Sequence, residues 1–198
     1  MHDSKSAISV QNLIAEVAGL VKVIAAKDDE LSTTSSGGQD AGVWLDTWTI
    51  AFWETISREW VSIDQWRMNK VLLLVRFFLR ENFQLLFAAL AADGSQSRSK
   101  STEIVTRQVQ VFETWPLSPR ERKVPDGLRL HVLDVWSDEL VGQLKAAAEQ
   151  SGEDGVKGAL TGVAKAIMVP VEKISKEALS KGVKMRAKEA IKTFQEGI

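Results

Sequence analysis

The sequence of 198 residues contains no cysteine, which removes disulfide bonds, thiolate metal sites and a cysteine nucleophile from consideration and fits an intracellular protein. Histidine is nearly missing too: His2 and His131 are the only two, and no H-E-x-x-H pattern is present to hold zinc on a helix. No glycine-rich phosphate loop occurs, and no paired acid and base stand in a recognisable catalytic setting. These gaps argue against an enzyme and against a metal, an organic cofactor or a small-molecule substrate. An excess of one charge is also lacking, since 25 Lys and Arg face 26 Asp and Glu for a formal net charge of −1. No overall field therefore draws the chain to nucleic acid or to an acidic membrane, and any RNA contact has to come from a local patch. Residues 1–6 are polar and mixed in charge, without the basic-then-apolar pattern of a secretory leader.

What the chain does have is concentrated in residues 51–87. Trp44, Trp48, Phe52 and Ile56 recur every four residues, one continuous face of an α-helix over about 43–59, and Trp53 and Trp60 extend a neighbouring face. Ser62 and Gln65 have the spacing of a capping box that opens a second helix. From there to about residue 92 no Pro or Gly intervenes, and apolar residues fall on nearly all sides, the pattern of a central helix. Arg67, Lys70, Arg76 and Arg80 interrupt this run, so it is not a transmembrane span. Arg58, Glu59, Asp64, Arg67 and Lys70 cluster at the corner between the two helices, where an ion-pair lock is expected, with Trp60 and Ile63 in the core. At helical spacing among Leu, Ile and Phe, the seven tryptophans read as core rather than as stacking platforms for bases.

The flanking chain reads as further helices in one domain, residues 1–198. Ile8, Leu13, Val17, Leu20, Val21 and Ile24 form an amphipathic helix over about 6–26, and residues 31–42 and 92–101 are polar loops. A helix over about 102–115 leads into a proline-marked connection, 116–125, carrying Arg120, Glu121, Arg122 and Lys123. That run is either a solvated loop or a phosphate contact. The helix over about 126–150 stacks His131, Asp134 and Asp138, a spacing that can present one nitrogen and two oxygens to a metal. With the other histidine at position 2, a packing seam is the preferred reading, His131 bonding Asp134 or the preceding helix. After a loop at 151–158, helices are expected at about 156–168 and 170–194, with Pro170 in a first turn and a break near 180–182. Lys165, Lys173, Lys176, Lys181, Lys184, Arg186, Lys188 and Lys192 make this last section the one sustained basic surface. Two readings stay open for it, phosphate contact or an ordinary solvated helix.

Two strings carry a resemblance. Phe52-Trp53-x-Thr55-x-x-Arg58-Glu59-Trp60-x-x-Ile63-Asp64-x-x-Arg67-x-x-Lys70, followed by Leu74-x-Arg76, resembles the signature of the eukaryotic nucleolar family called ribosomal RNA processing protein one. Val124-Pro125-x-Gly127-Leu128-x-x-His131-x-x-Asp134-x-x-x-Asp138-Glu139-Leu140 is similar to that family's later helix. Trp66 and Asn69 depart from the family pattern, and family members carry an apolar, tryptophan-bearing helix ahead of the position of Met1 and a basic extension at the far end, so the chain is expected to begin late.

The resemblance implies an all-α array of about seven helices stacked as antiparallel pairs, armadillo- or HEAT-like. It implies a non-enzymatic assembly factor in the nucleolus and nucleus, needed for pre-ribosomal RNA processing. Its partners would be the precursor of the large subunit (the pre-60S particle), ribosomal RNA and other assembly factors, with no membrane. RNA or partner contacts are then expected at Arg120, Arg122, Lys123, Lys181, Lys184, Arg186 and Lys188. Trp53, Arg58, Glu59, Trp60, Asp64, Arg67, Lys70, His131 and Asp134 are expected to be structural. The alternative is a helical protein-binding adaptor that touches no RNA.

Overall fold

A computed structural model of the chain describes residues 4–34, 43–91, 95–151 and 154–198. They form seven helices: α1 (Ser4–Thr34), α2 (Val43–Glu59), α3 (Gln65–Ala91), α4 (Ser95–Thr114), α5 (Asp126–Ser151), α6 (Asp154–Glu177) and α7 (Lys181–Gly197), with one 3-10 turn at Trp60–Ser62. No strand occurs among the described residues. Odd-numbered helices pack on one another in one layer and even-numbered helices in a second, with consecutive helices joining the layers. Leu72 faces His131 while Arg76 and Arg80 face Glu139, and Asp134 faces Arg186 while Ser137 faces Ala190. Both series ascend together, so α3, α5 and α7 run parallel and the helices between them return. The result is an all-α helical array.

The core follows from the sequence pattern with one rotation. On α2 the buried residues are Leu45, Thr49, Phe52, Trp53 and Ser57, a face turned by about one residue from the expected one, so Trp44 lies exposed. Two aromatic clusters fill the interior. Phe52 stacks on Phe78 with ring centroids 3.5 Å apart while Trp53 meets Phe78 edge-on at 5.6 Å, and Phe83, Phe112 and Trp136 meet edge-to-face at 4.9–6.2 Å. These arrangements suit the ring quadrupoles and tie α2 to α3, and α3 to α4 and α5. Not every tryptophan is core: Trp66 is 90% exposed, and Trp60 and Ile63 are only half-buried.

Helix ends also differ from expectation. α1 continues through the charged Lys27–Glu30 cluster because Asp28 has a buried task there, accepting the Leu45 N–H at 2.8 Å and the Trp44 N–H at 3.3 Å. A carboxylate on one helix thus caps the free donors of the next, where the helix dipole also favours it. The expected capping box at Ser62 is absent. Ser62 donates backward to the Glu59 carbonyl at 2.7 Å, and Asp64 caps α3 by accepting the Arg67 N–H at 2.9 Å. The expected 92–101 loop is largely helix from Ser95, and the expected 31–42 and 151–158 loops are helix to Thr34, to Ser151 and again from Asp154. Residues 35–42, 92–94, 152 and 153 lie outside the described set. Pro170 stands inside α6 rather than in a first turn. Buried Leu160, Ala164, Ile167 and Met168 before it and Val171 and Ile174 after it form one face, and packing that whole face outweighs the roughly 3 kcal/mol that an interior proline costs.

Between the parallel α3 and α5 lies the strongest electrostatic contact. The Glu139 side chain is 5% exposed, with Arg76 Nε at 2.5 Å and Arg80 Nε at 2.8 Å. Burial alone would push its carboxyl up, but hydrogen bonds from Arg80 and Arg76 outweigh that and hold it below the ordinary carboxylate range. The stabilisation is therefore complete above the unfolded carboxylate value and is lost as pH falls through the folded one. Glu139→Gln is expected to cost about 2 kcal/mol at pH 7, below the 3–5 kcal/mol of a fully buried pair because both arginines are partly exposed. Urea denaturation should show the gap to wild type narrowing below about pH 4.

Trp136→Ala is expected to cost about 3–5 kcal/mol by removing the centre of an aromatic cluster, whereas Trp66→Ala should stay within about 0.5 kcal/mol of wild type in the same assay.

Candidate nucleic-acid interface

Alternation of helix direction gathers every second connection at one end of the array. The 60–64 corner, the 115–125 connection and the 178–180 break share that end. Trp60 packs on Gly127 so closely that a Cβ there would sit 2.9 Å from the indole nitrogen, which joins the first corner to the first turn of α5. A cleft of about 320 Å³ joins the second connection to the third, lined among others by Arg120, Arg122, Arg129, Ser180 and Val183. Two basic clusters some sixty residues apart in sequence, Arg120–Lys123 and Lys181–Lys188, are thereby neighbours.

The connection is irregular chain, yet it is held firmly. Leu117 and Val124 are buried, anchoring it to the core. Arg129, in the first turn of α5 and 6% exposed, donates to the Ser118 carbonyl at 2.9 Å, the Val124 carbonyl at 2.6 Å and the Glu121 carbonyl, and pairs with Asp126 at 2.9 Å. One guanidinium thus satisfies three carbonyls that no regular ladder serves. With its interior gathered on Arg129, the connection turns Arg120, Arg122 and Lys123 to solvent. Sequence reasoning missed Arg129. The available signal was a cation in a helix first turn between Leu128 and Leu130, where the dipole disfavours it unless carbonyls or a carboxylate receive it.

α7 buries Val183, Ala187, Ala190 and Phe194, and by spacing Lys181, Lys184 and Lys188 share a ridge on another face. Its first turn contains no acid, and the Ser180 side chain makes no capping bond. The positive end of this helix has no acid of its own, although Glu121 and Asp126 line the same cleft as Ser180; the dipole there favours an incoming anion. Among the described residues, no ion pair engages Arg120, Arg122, Lys123, Lys181, Lys184 or Lys188. Arg186 differs: it bonds Asp134 at 2.9 Å and approaches Glu189 at 3.5 Å. It links α5 to α7 with about half its side chain still exposed, so unlike the other expected contacts it already has carboxylate partners.

The other expected residues fall as follows. Trp53 is fully buried. Arg58 pairs with its neighbour Glu59 at 2.9 Å, and Asp64 with Arg67 at 2.6 Å. The Asp64–Arg67 pair one turn apart is the one expected, but Arg58 and Glu59 pair with each other instead of crossing the corner; exposed pairs of this kind contribute little. Lys70 is exposed. His131 Nε2 lies 2.9 Å from the Leu72 carbonyl, which makes it a link to α3 and frees Asp134 for Arg186. Burial pushes its pKa below the ordinary histidine value, against the pull of that carbonyl and of Asp134. His131, Asp134 and Asp138 do not assemble: no group of three potential metal ligands occurs among the described residues.

A family model described as "Nucleolar protein, Nop52" matches residues 1–196. The chain is similar to human "Ribosomal RNA processing protein 1 homolog B", 35% identical over 104 residues that cover 50% of this chain and 12% of that protein. It is similar to mouse homolog B, 34% identical over 102 residues covering 50% and 13%, and to mouse "Ribosomal RNA processing protein 1 homolog A", 32% identical over 103 residues covering 51% and 19%. The aligned parts thus span less than a fifth of these curated relatives.

Arg129→Met keeps the buried stem but removes the donors to the Ser118, Val124 and Glu121 carbonyls, of which only that of Glu121 retains another, the Val124 N–H at 3.3 Å; the expected cost is about 3 kcal/mol in urea denaturation. Amide exchange should quicken first in residues 118–126, before the helices are affected.

Proposed function

Because the chain belongs to the Nop52 nucleolar protein family, we propose that it acts in the nucleolus in processing ribosomal RNA, as a non-enzymatic scaffold on the large-subunit precursor. The names of its relatives supply the process. The mechanism rests on one observation: Arg120 and Arg122, with Glu121 and Asp126, line a cleft whose other side is the start of α7 at Ser180 and Val183, and Lys123, Lys181, Lys184 and Lys188 stand on the same two segments in no ion pair among the described residues. A rigid helical array holds these cations at fixed separation. Phosphates of an RNA strand would be received without regard to base sequence, at an affinity set by counterion release.

The second reading, a protein adaptor, is favoured by one feature. Val61 and Trp66 stand exposed at the α2–α3 corner, and exposed aromatic and aliphatic side chains of this kind anchor protein interfaces.

Salt separates the two readings. For about four phosphate contacts to single-stranded ribosomal RNA, affinity should fall on the order of 50-fold between 50 and 200 mM salt, following a slope of about −0.7 per contact. Reversing Arg120, Arg122, Lys181 and Lys184 to Glu should flatten that slope and remove the tagged protein from sedimenting large-subunit precursors. Weak, salt-independent RNA binding together with retained sedimentation would leave the adaptor; loss of neither would overturn the scaffold reading.

A further inference from the structure

Ser118 is the one serine or threonine in the chain that precedes a proline, since Pro116, Pro125 and Pro170 follow Trp115, Val124 and Val169. A proline removes an N–H and biases the residue before it to extended backbone, the form in which a proline-directed protein kinase takes its substrate. The structure leaves this serine uncommitted. Ser62, Ser101, Ser137, Ser151 and Ser175 each donate to a backbone carbonyl, and Ser57 is buried. The Ser118 side chain is half-buried, and its hydroxyl has no hydrogen-bond partner among the described residues. Residues 118–120 lie outside the helices and join no backbone–backbone hydrogen bond. Offering them to another enzyme's active site therefore opens no ladder; one contact, from Arg129 to the Ser118 carbonyl, has to yield.

The neighbours of Ser118 define what a phosphate there would meet. Residues 118–123 carry three cations, Arg120, Arg122 and Lys123, against one carboxylate, Glu121. Glu121 is turned to the Lys123 backbone N–H at 2.9 Å, and Asp126 is paired with Arg129 at 2.9 Å. Arg120 and Arg122 are exposed on the cleft that Pro119 also lines, and neither is in an ion pair among the described residues. A phosphoserine brings about −1.5 to −2 charges at neutral pH and three strong acceptor oxygens. That is enough to cancel the cationic surplus of the segment.

We propose that Ser118 is a phosphorylation site for a proline-directed kinase, and that its phosphate, held by Arg120 and Arg122, switches off the basic connection as an RNA contact. The γ-phosphoryl group of ATP passes to Ser118 Oγ. The Oγ–P bond forms, the bond from the γ-phosphorus to the bridging oxygen breaks, the hydroxyl proton goes to the kinase's base and ADP leaves. Lys181 and Lys184 at the start of α7 are untouched, so the loss of RNA contact is partial. The effect on RNA rests on the function proposed above; the site and the contact of phosphate with arginine do not.

The full chain, incubated with a proline-directed kinase and magnesium ATP, tests each part. Intact mass should show one added phosphoryl group on wild type and none on Ser118→Ala, with helical circular dichroism unchanged in both. By phosphorus NMR the phosphate should lose its second proton below the ordinary value of about 6, because guanidinium groups favour the dianion. The double variant Arg120→Gln/Arg122→Gln should return it to that value. With half of about four phosphate contacts neutralised, the fall in affinity for single-stranded RNA between 50 and 200 mM salt should shrink from about 50-fold to about 7-fold. Ser118→Ala treated alike should keep the full fall. A wild-type chain left unmodified, or modified at another residue, would overturn the proposal. So would a phosphate that titrates at its ordinary value, or one that leaves a steep salt dependence unchanged. Phosphorylation at Ser118 with a lowered pKa, on a chain that binds no RNA even before modification, would support the site and overturn the RNA reading instead.

Discussion

The array depends on the clasp of Glu139 by Arg76 and Arg80. α3 and α5 are the inner helices of the odd layer, each touching neighbours on several sides, and their register fixes where everything else can sit. Hydrophobic contact alone specifies register poorly, because one turn of Leu, Val and Phe resembles the next. A buried carboxylate that needs two guanidinium groups does not tolerate a slip of one turn, since a displaced Glu139 would be desolvated without partners. His131 on the Leu72 carbonyl, one turn or two nearer the basic end, enforces the same alignment with a neutral group. Arg186 on Asp134 and Ser137 on the Ala190 carbonyl then pass the register from α5 to α7.

Much of this architecture was legible in the sequence. Helical periodicity located the helices, and the turn-rich and proline-marked stretches located their connections, because both signals are local. What periodicity could not resolve was rotation. Trp44, Trp48, Phe52 and Ile56 are a face on any helical wheel, but which side meets α3 depends on the stacking of Phe52 against Phe78, which is not local. Pro170 misled for the same reason, since a local breaker yielded to a long buried face. The corner lock failed through an excess of plausible partners: with Glu59 adjacent to Arg58 and Asp64 one turn from Arg67, each charge was satisfied nearest to home.

The candidate site was legible residue by residue but not as a place. Two short basic runs, each readable as a solvated surface, gain meaning only when strict up-and-down alternation brings their connections to the same end. Arg186 shows the limit of reading charge from composition, because its carboxylate partner lies on another helix. Arg129 shows the converse. Sequence reading passed over it, yet it is the buried post around which the basic connection is wound.

A formal charge near zero is consistent with a strongly positive end because the acids and bases are distributed unequally. Lys22, Arg76, Arg80, Arg107, Lys173 and Arg186 are each paired across helices with Glu81, Glu139, Asp46, Glu113 or Asp134. Those pairs hold the layers together and nearly cancel. Among the described residues, cations in no ion pair stand within helices, at Lys70, Lys145, Lys165 and Lys176, and also where helices turn, at 120–123 and at the start of α7, where Arg129 ties the carbonyls of the connection inward. Net charge therefore says little about partners for a helical array. The quantity that matters is which charges remain after the helices have been bound to one another, and at that end of this chain Arg120, Arg122, Lys123 and Lys181 are exposed beside Glu121 and Asp126.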